Sequence, residues 1–332
     1  MPTFPVSSSH LSAKHLGPYL SKQYPFLENT TCVFIKPGIN DTYLLSSKKE
    51  KYIFRVYTYN WHSKLEIEEE LRFLNLLKDK AISVSFPILD KNKDFIQTFA
   101  APEGTRYGVL FSFAKGEKRP VIAPTLHFKI GAMMGRLHTV SKNLELRRIV
   151  YNEYHLINLP YQRIQSFLPD EAIEATCLTT IKTRLIKEFA KFDHTQLRKG
   201  VIHLDIWQDN LVIDQAENIS LFDFDFCGNG WLCIDLAYYQ LQLYLIEKDK
   251  KIRIQKWNSF LAGYESVVEI SSEEKRILPF LGVALYFFYL GNMCYRYENW
   301  SNFFLTESYV KQYVERRIKW YFEEVGIEKK TV

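Results

Sequence analysis

Residues 203–225 read His-Leu-Asp-Ile-Trp-Gln-Asp-Asn-Leu-Val-Ile-Asp-Gln-Ala-Glu-Asn-Ile-Ser-Leu-Phe-Asp-Phe-Asp. Apolar 211–213, polar 214–218 and apolar 219–222 have the pattern of a short β-hairpin. Asn210 then stands at the mouth of the first strand and Asp223 at the mouth of the second. Paired strands run roughly 5 Å apart, so the two side chains can address one spot. An amide oxygen and a carboxylate there suit a hard cation such as Mg²⁺ that keeps phosphate oxygens among its ligands. Asp205, on the loop entering the hairpin, can orient a substrate hydroxyl and take its proton.

The ordered set, His-x-Asp-x-x-x-x-Asn followed by Asp-x-Asp, resembles the aminoglycoside phosphotransferase and choline kinase superfamily, protein-kinase-like enzymes that phosphorylate small molecules. The resemblance implies an α+β, bilobal protein-kinase-like fold, with a small antiparallel-sheet N-lobe and a large, mainly helical C-lobe. It implies ATP, with GTP as the alternative, bound with Mg²⁺ in the cleft. Asp205 would be the catalytic base, and Asn210 and Asp223 the metal ligands. Asp225 is a weaker candidate for a second ligand, Asp209 fits the metal less well than its neighbour Asn210, and Trp207 and Gln208 could line the site. His203 reads as a structural residue of the loop. Asp235 follows Asp223 so closely that the long activation segment of protein kinases, with its Ala-Pro-Glu, has no room. In the superfamily the corresponding Asp-Leu-Ala would buttress the catalytic loop.

Working outward, residues 12–23 suggest a short helix, and 32–35, 42–45 and 52–57 three strands joined by tight turns. The turn holding Gly38, Asn40 and Tyr43 is similar to the Gly-x-x-Asn-x-x-Tyr turn of the superfamily, which would place Asn40 over the phosphates of a nucleotide. Arg55 occupies the third strand, where kinases carry a phosphate-binding lysine; the alternative is an exposed strand residue. Residues 61–80 have helical periodicity through Ile67, Leu71 and Leu74. Glu70 shares that face and could meet Arg55, with Glu69 as its rival and Glu66 and Glu68 on a solvated face. Strands are expected at 83–89, 95–98 and 108–113. The Gly-x-x-x-x-Gly-Lys-Ser/Thr loop is absent from the sequence.

The passage from the apolar strand into Ala114-Lys115-Gly116-Glu117 resembles the hinge between kinase lobes, near 112–116. Backbone groups around Ser112 and Ala114 would bind adenine. The N-terminal lobe would then span 1–113 and the C-terminal lobe 114–332. Residues 126–140 form an expected helix whose small residues permit close packing, with His138 a core or capping residue. Residues 143–169 read as an irregular, aromatic-rich insertion on the substrate side, 170–199 as helix, and 236–325 as a run of helices. Phe260-Leu-Ala-Gly-Tyr264 also resembles the superfamily.

Composition agrees with a globular protein: of 332 residues, 47% are hydrophobic and 24% charged. The net charge of +5 is spread among acids and forms no basic stripe, which argues against nucleic acid as a partner. Five cysteines without a Cys-x-x-Cys pair point to a reduced, cytoplasmic protein without a zinc site. The N-terminus lacks the basic and apolar regions of a signal peptide. Residues 277–295 are uncharged and long enough to span a membrane, but Pro279, Gly282, Gly291 and Asn292 interrupt them, so a buried helix and no membrane partner are expected. The expected activity is transfer of the γ-phosphate to a hydroxyl of a small molecule: an aminoglycoside, an amino alcohol or a sugar. Two alternatives stay open: a Ser/Thr protein kinase of the bacterial stress-response type, and a weakly catalytic nucleotide-binding pseudokinase.

Overall fold

The computed structural model describes residues 4–296 and 304–326. The first three residues of the N-terminal stretch, and 297–303 within the expected run of helices, lie outside that range. In chain order the elements are α1 (Ala13–Gln23), β1 (Thr31–Lys36), β2 (Asp41–Ser46), β3 (Lys51–Val56), α2 (Lys64–Asp79), β4 (Ile96–Ala101), β5 (Gly104–Ser112), α3 (Pro124–Ser141), β6 (Val150–Tyr151) and α4 (Leu159–Gln165). There follow α5 (Ile173–Phe189), β7 (Lys199–Ile202), β8 (Leu211–Ile213), β9 (Ile219–Leu221), β10 (Gly228–Trp231), α6 (Cys233–Ile246), α7 (Lys250–Glu265), α8 (Ser272–Tyr295), α9 (Glu307–Tyr313) and α10 (Trp320–Glu324). Two compact units result: Met1–Glu117 with Val212–Asp223, and Lys118–Leu211 with Phe224–Val332. The fold is the α+β, bilobal, protein-kinase-like one.

The smaller unit is built on a five-stranded antiparallel sheet in the order β1-β2-β3-β5-β4. Alternate residues of β2 are buried, and Tyr43, Leu45, Phe54, Val56 and Leu110 form one core with Leu16 and Leu20 of α1. A capping box starts α2: the Ser63 hydroxyl accepts from the Glu66 amide, and the Glu66 carboxylate accepts from the Ser63 amide. Glu66 is therefore tied to the helix start. The expected strand at 83–89 is not a sheet strand. Its amide groups alternate between two partners: Ser85 N–H donates to Leu221 O and Leu221 N–H to Ser83 O, whereas Ile88 N–H donates to Leu110 O. Val84 makes a single parallel bridge to Leu221, and Pro87 a single antiparallel bridge to Phe111. The segment thus stitches β9 to β5 and joins neither as a neighbour in a ladder.

In the larger unit, β6, β10 and β7 make a small mixed sheet in which β10 runs parallel to β6 and antiparallel to β7. Close packing of α3 on α7 depends on reciprocal glycines. A Cβ on Gly131 would lie 2.0 Å from Phe260 O, and one on Gly263 would lie 1.9 Å from Phe128 O. Residues 143–169, expected to be irregular, include β6, a π-helical turn at Tyr154–Asn158 and α4. Leu156, Ile157, Pro160, Tyr161 and Ile164 are buried there, whereas Val150 and Tyr154 stay about half exposed. The uncharged 277–295 stretch belongs to α8, long and apolar enough to cross a membrane, yet 78% of its most apolar window is buried inside the protein.

Candidate active site

The loop after β7 is fixed from beneath by one carboxylate. Asp235, fully buried in the first turn of α6, accepts the His203 amide at 2.9 Å and the Leu204 amide at 2.6 Å, and its Oδ2 lies 3.0 Å from His138 Nε2. His138 in turn reaches the Tyr264 hydroxyl through Nδ1 at 2.8 Å, so it is a satisfied core residue. Two orphan amides on one carboxylate hold Leu204 at φ +63°, a conformation a leucine adopts only when its surroundings insist on it. The Tyr289 hydroxyl donates to the Leu204 carbonyl from α8. Within the loop, the Asp205 amide donates to His203 Nδ1 at 3.1 Å, and the His203 ring packs edge-on against Phe224.

This anchoring presents the Asp205 carboxylate with hydrogen bonds at both oxygens. The Tyr238 hydroxyl donates to Oδ1. The Asn210 amide nitrogen donates to Oδ2 at 2.6 Å and to the Asp205 carbonyl at 3.1 Å. With its nitrogen so committed, the side chain of Asn210 has its oxygen left to offer a cation. Asp209, next to it, is exposed and faces Lys118 at 3.9 Å, and Asp225 is buried with its carbonyl bonded to Arg148.

In the smaller unit the register places Arg55 opposite Thr42 and Val109. Its guanidinium splits: Nη1 donates to Glu70 Oε1 at 2.9 Å and Nη2 to Asp223 Oδ1 at 3.0 Å. Glu70 is fully buried, and its second oxygen accepts the Tyr57 hydroxyl at 3.1 Å. Between the rival glutamates the structure is unambiguous, since Glu69 pairs instead with the half-exposed Arg72 on α2. Asp223 stands just past β9 at φ +67° with 43% of its side chain exposed. A two-pronged planar cation can serve two carboxylates in this way, which gives a physical sense to arginine where a lysine is usual.

Asn40 is buried, and its side-chain oxygen accepts the Thr58 amide at 3.1 Å. It staples the β1–β2 turn to the end of β3, and Tyr43 is core, its hydroxyl bonded to Leu11 O. Ser112 has its backbone engaged within the unit: its amide donates to Phe86 O at 2.9 Å and its carbonyl accepts the Ser85 hydroxyl at 2.5 Å. Ala114, the other residue expected to offer backbone to adenine, lies beyond the end of β5.

Tyr238 and Tyr289 escaped the sequence reading. Tyr238 had a discoverable signal, because it lies three residues after Asp235 on one helix and so shares its face. Tyr289 had none, being one of many aromatics in an apolar helix.

Likeness to known proteins agrees with this geometry. The profile of the phosphotransferase enzyme family matches residues 32–269. An uncharacterized protein of Synechocystis sp. is 27% identical over 289 residues, 84% of this chain and 77% of that protein. A homoserine kinase of Mesorhizobium japonicum is 27% identical over 282 residues, 82% of this chain and 83% of that enzyme. Among solved structures, the microcompartment-associated aminopropanol kinase superposes with a TM-score of 0.76 at 22% identity, covering 95% of this chain and 99% of that one. With the family profile matched over most of its length, the chain belongs to the phosphotransferase enzyme family, the aminoglycoside- and choline-kinase-like small-molecule kinases, and is a phosphotransferase.

Proposed function

We propose that the protein transfers the γ-phosphate of ATP to the hydroxyl of a small amino alcohol. The observation that carries the reading is the doubly hydrogen-bonded Asp205 carboxylate on an over-determined loop. Asp205 receives the acceptor's hydroxyl proton while the new O–P bond forms and the bond from the γ-phosphorus to the bridging oxygen of ADP breaks. Asn210 through its amide oxygen and Asp223 through its carboxylate would hold Mg²⁺, which prefers such hard oxygen ligands. Bound Mg²⁺–ATP supplies an electrophilic phosphorus with part of its charge neutralised. Arg55, positioned by Glu70, contacts the phosphates; Asn40 holds the turn that covers them; the backbone at Ala114 meets adenine. The hinge belongs near 112–116, and the reaction to the reducing cytoplasm.

The amino-alcohol class is supported by relatives named as homoserine kinases and by the structural likeness to an aminopropanol kinase. The test is ADP formation with ATP and Mg²⁺ across L-homoserine, 1-amino-2-propanol, ethanolamine, choline, aminoglycosides, simple sugars and a generic protein acceptor. Acceptor-dependent turnover with an amino alcohol, reduced by about 10³-fold or more in Asp205→Asn, is the expected result. Undiminished turnover in that variant defeats the base assignment. Phosphate on the protein acceptor alone defeats the small-molecule assignment.

A further inference from the structure

We propose that Tyr238 is a positioning residue for phosphoryl transfer, its hydroxyl and the Asn210 amide together fixing the rotation of the Asp205 carboxylate. The proposal rests on the reading of Asp205 as the base. A carboxylate joined to its chain by single bonds turns freely unless both oxygens are held, and here each has a donor from a different element: Tyr238 from α6 on Oδ1, Asn210 from the loop on Oδ2. The direction of the first bond is fixed by chemistry, since an ionised carboxylate can only accept. Burial, and next the charge of Asp205, push the Tyr238 phenol well above its ordinary range, so it remains a donor throughout the working pH range.

The same helix face does two jobs. Asp235 in the first turn of α6 grips the amides of 203 and 204, and Tyr238, three residues on, grips the side chain of 205. Loop backbone and reacting group are therefore referenced to one rigid element. Tyr289 completes the support: its ring lies 5.4 Å from that of Tyr238, and its hydroxyl holds Leu204 O. Donors held within a few tenths of an ångström of a reacting oxygen are what keep a base in line with the bond it must attack.

Tyr238→Phe keeps the buried ring and removes the donor. The expected result is a kcat lowered about tenfold or more with an unchanged KM for ATP. Incorporating 3-fluorotyrosine in place of Tyr238, which keeps both ring and donor, is expected to hold kcat within about twofold of wild type. Wild-type kcat in Tyr238→Phe overturns the proposal. Should that variant fail to fold, 4-fluorophenylalanine at 238, which keeps the ring's size without a donor, takes its place, and wild-type kcat there overturns the proposal instead. Asp205→Asn separates the two readings: activity in that variant removes the base assignment itself, whereas inactivity there beside a wild-type Tyr238→Phe removes only the clamp.

Discussion

Asp205 and Asp223 come from one short stretch, yet Asp205 is held by neutral donors, Tyr238 and the Asn210 amide, whereas Asp223 meets the full charge of Arg55 while 43% of its side chain stays exposed. On the reading of Asp205 as the base, donors at both oxygens fix the orientation of a group that has to accept a proton. Arg55, itself mostly buried, holds a partly exposed carboxylate at the end proposed to meet phosphate. Its other partner, Glu70, is buried. One carboxylate is anchored at both oxygens, while the guanidinium has one buried and one partly exposed partner.

Three substitutions sharpen or break this contrast. The largest effect is expected for Asp235→Asn, where an amide group replaces one of two oxygens facing buried N–H donors. We expect a loss of about 3 kcal/mol of stability by urea unfolding and at least about 10²-fold in kcat. A stable, active variant breaks the claim that the loop is anchored from α6. Next comes Glu70→Gln, which leaves Arg55 with a neutral partner. The expected outcome is a KM for ATP raised about tenfold, kcat changed less, and a stability loss of roughly 2 kcal/mol; a fall in kcat alone breaks the assignment of Arg55 to ground-state nucleotide contact. The smallest is Glu69→Ala, which loses a pair with the half-exposed Arg72 and is expected to shift stability by about 1 kcal/mol or less with unchanged kinetics.

Much of the site was legible because its grammar is local. Asp205, Asn210 and the hairpin leading to Asp223 lie within one loop-strand-turn-strand unit, and helical phase alone put Glu70 on the buried side with Leu74. What could not be read is what comes from far away. Tyr238 reaches Asp205 across 33 positions and Tyr289 reaches Leu204 across 85, from helices whose many aromatics look alike in sequence. The misread strand at 83–89 has a similar cause: its composition is that of a strand, but its hydrogen bonds go by turns to β5 and to a hairpin more than a hundred residues later. Periodicity reports burial, and it cannot report that two partners share one segment. Ser112 shows the same limit in miniature, since only the structure reveals that its amide is already spent on Phe86.

The smaller unit is not a continuous piece of chain: Val212–Asp223 belongs to it although nearly a hundred residues of the larger unit intervene. During synthesis the first 117 residues therefore wait, with the 83–85 amides and carbonyls lacking β9, until the ribosome has passed residue 223. A polypeptide cut after residue 117 is expected to be poorly folded for the same reason. Any transplant of this unit into another chain has to carry the hairpin along.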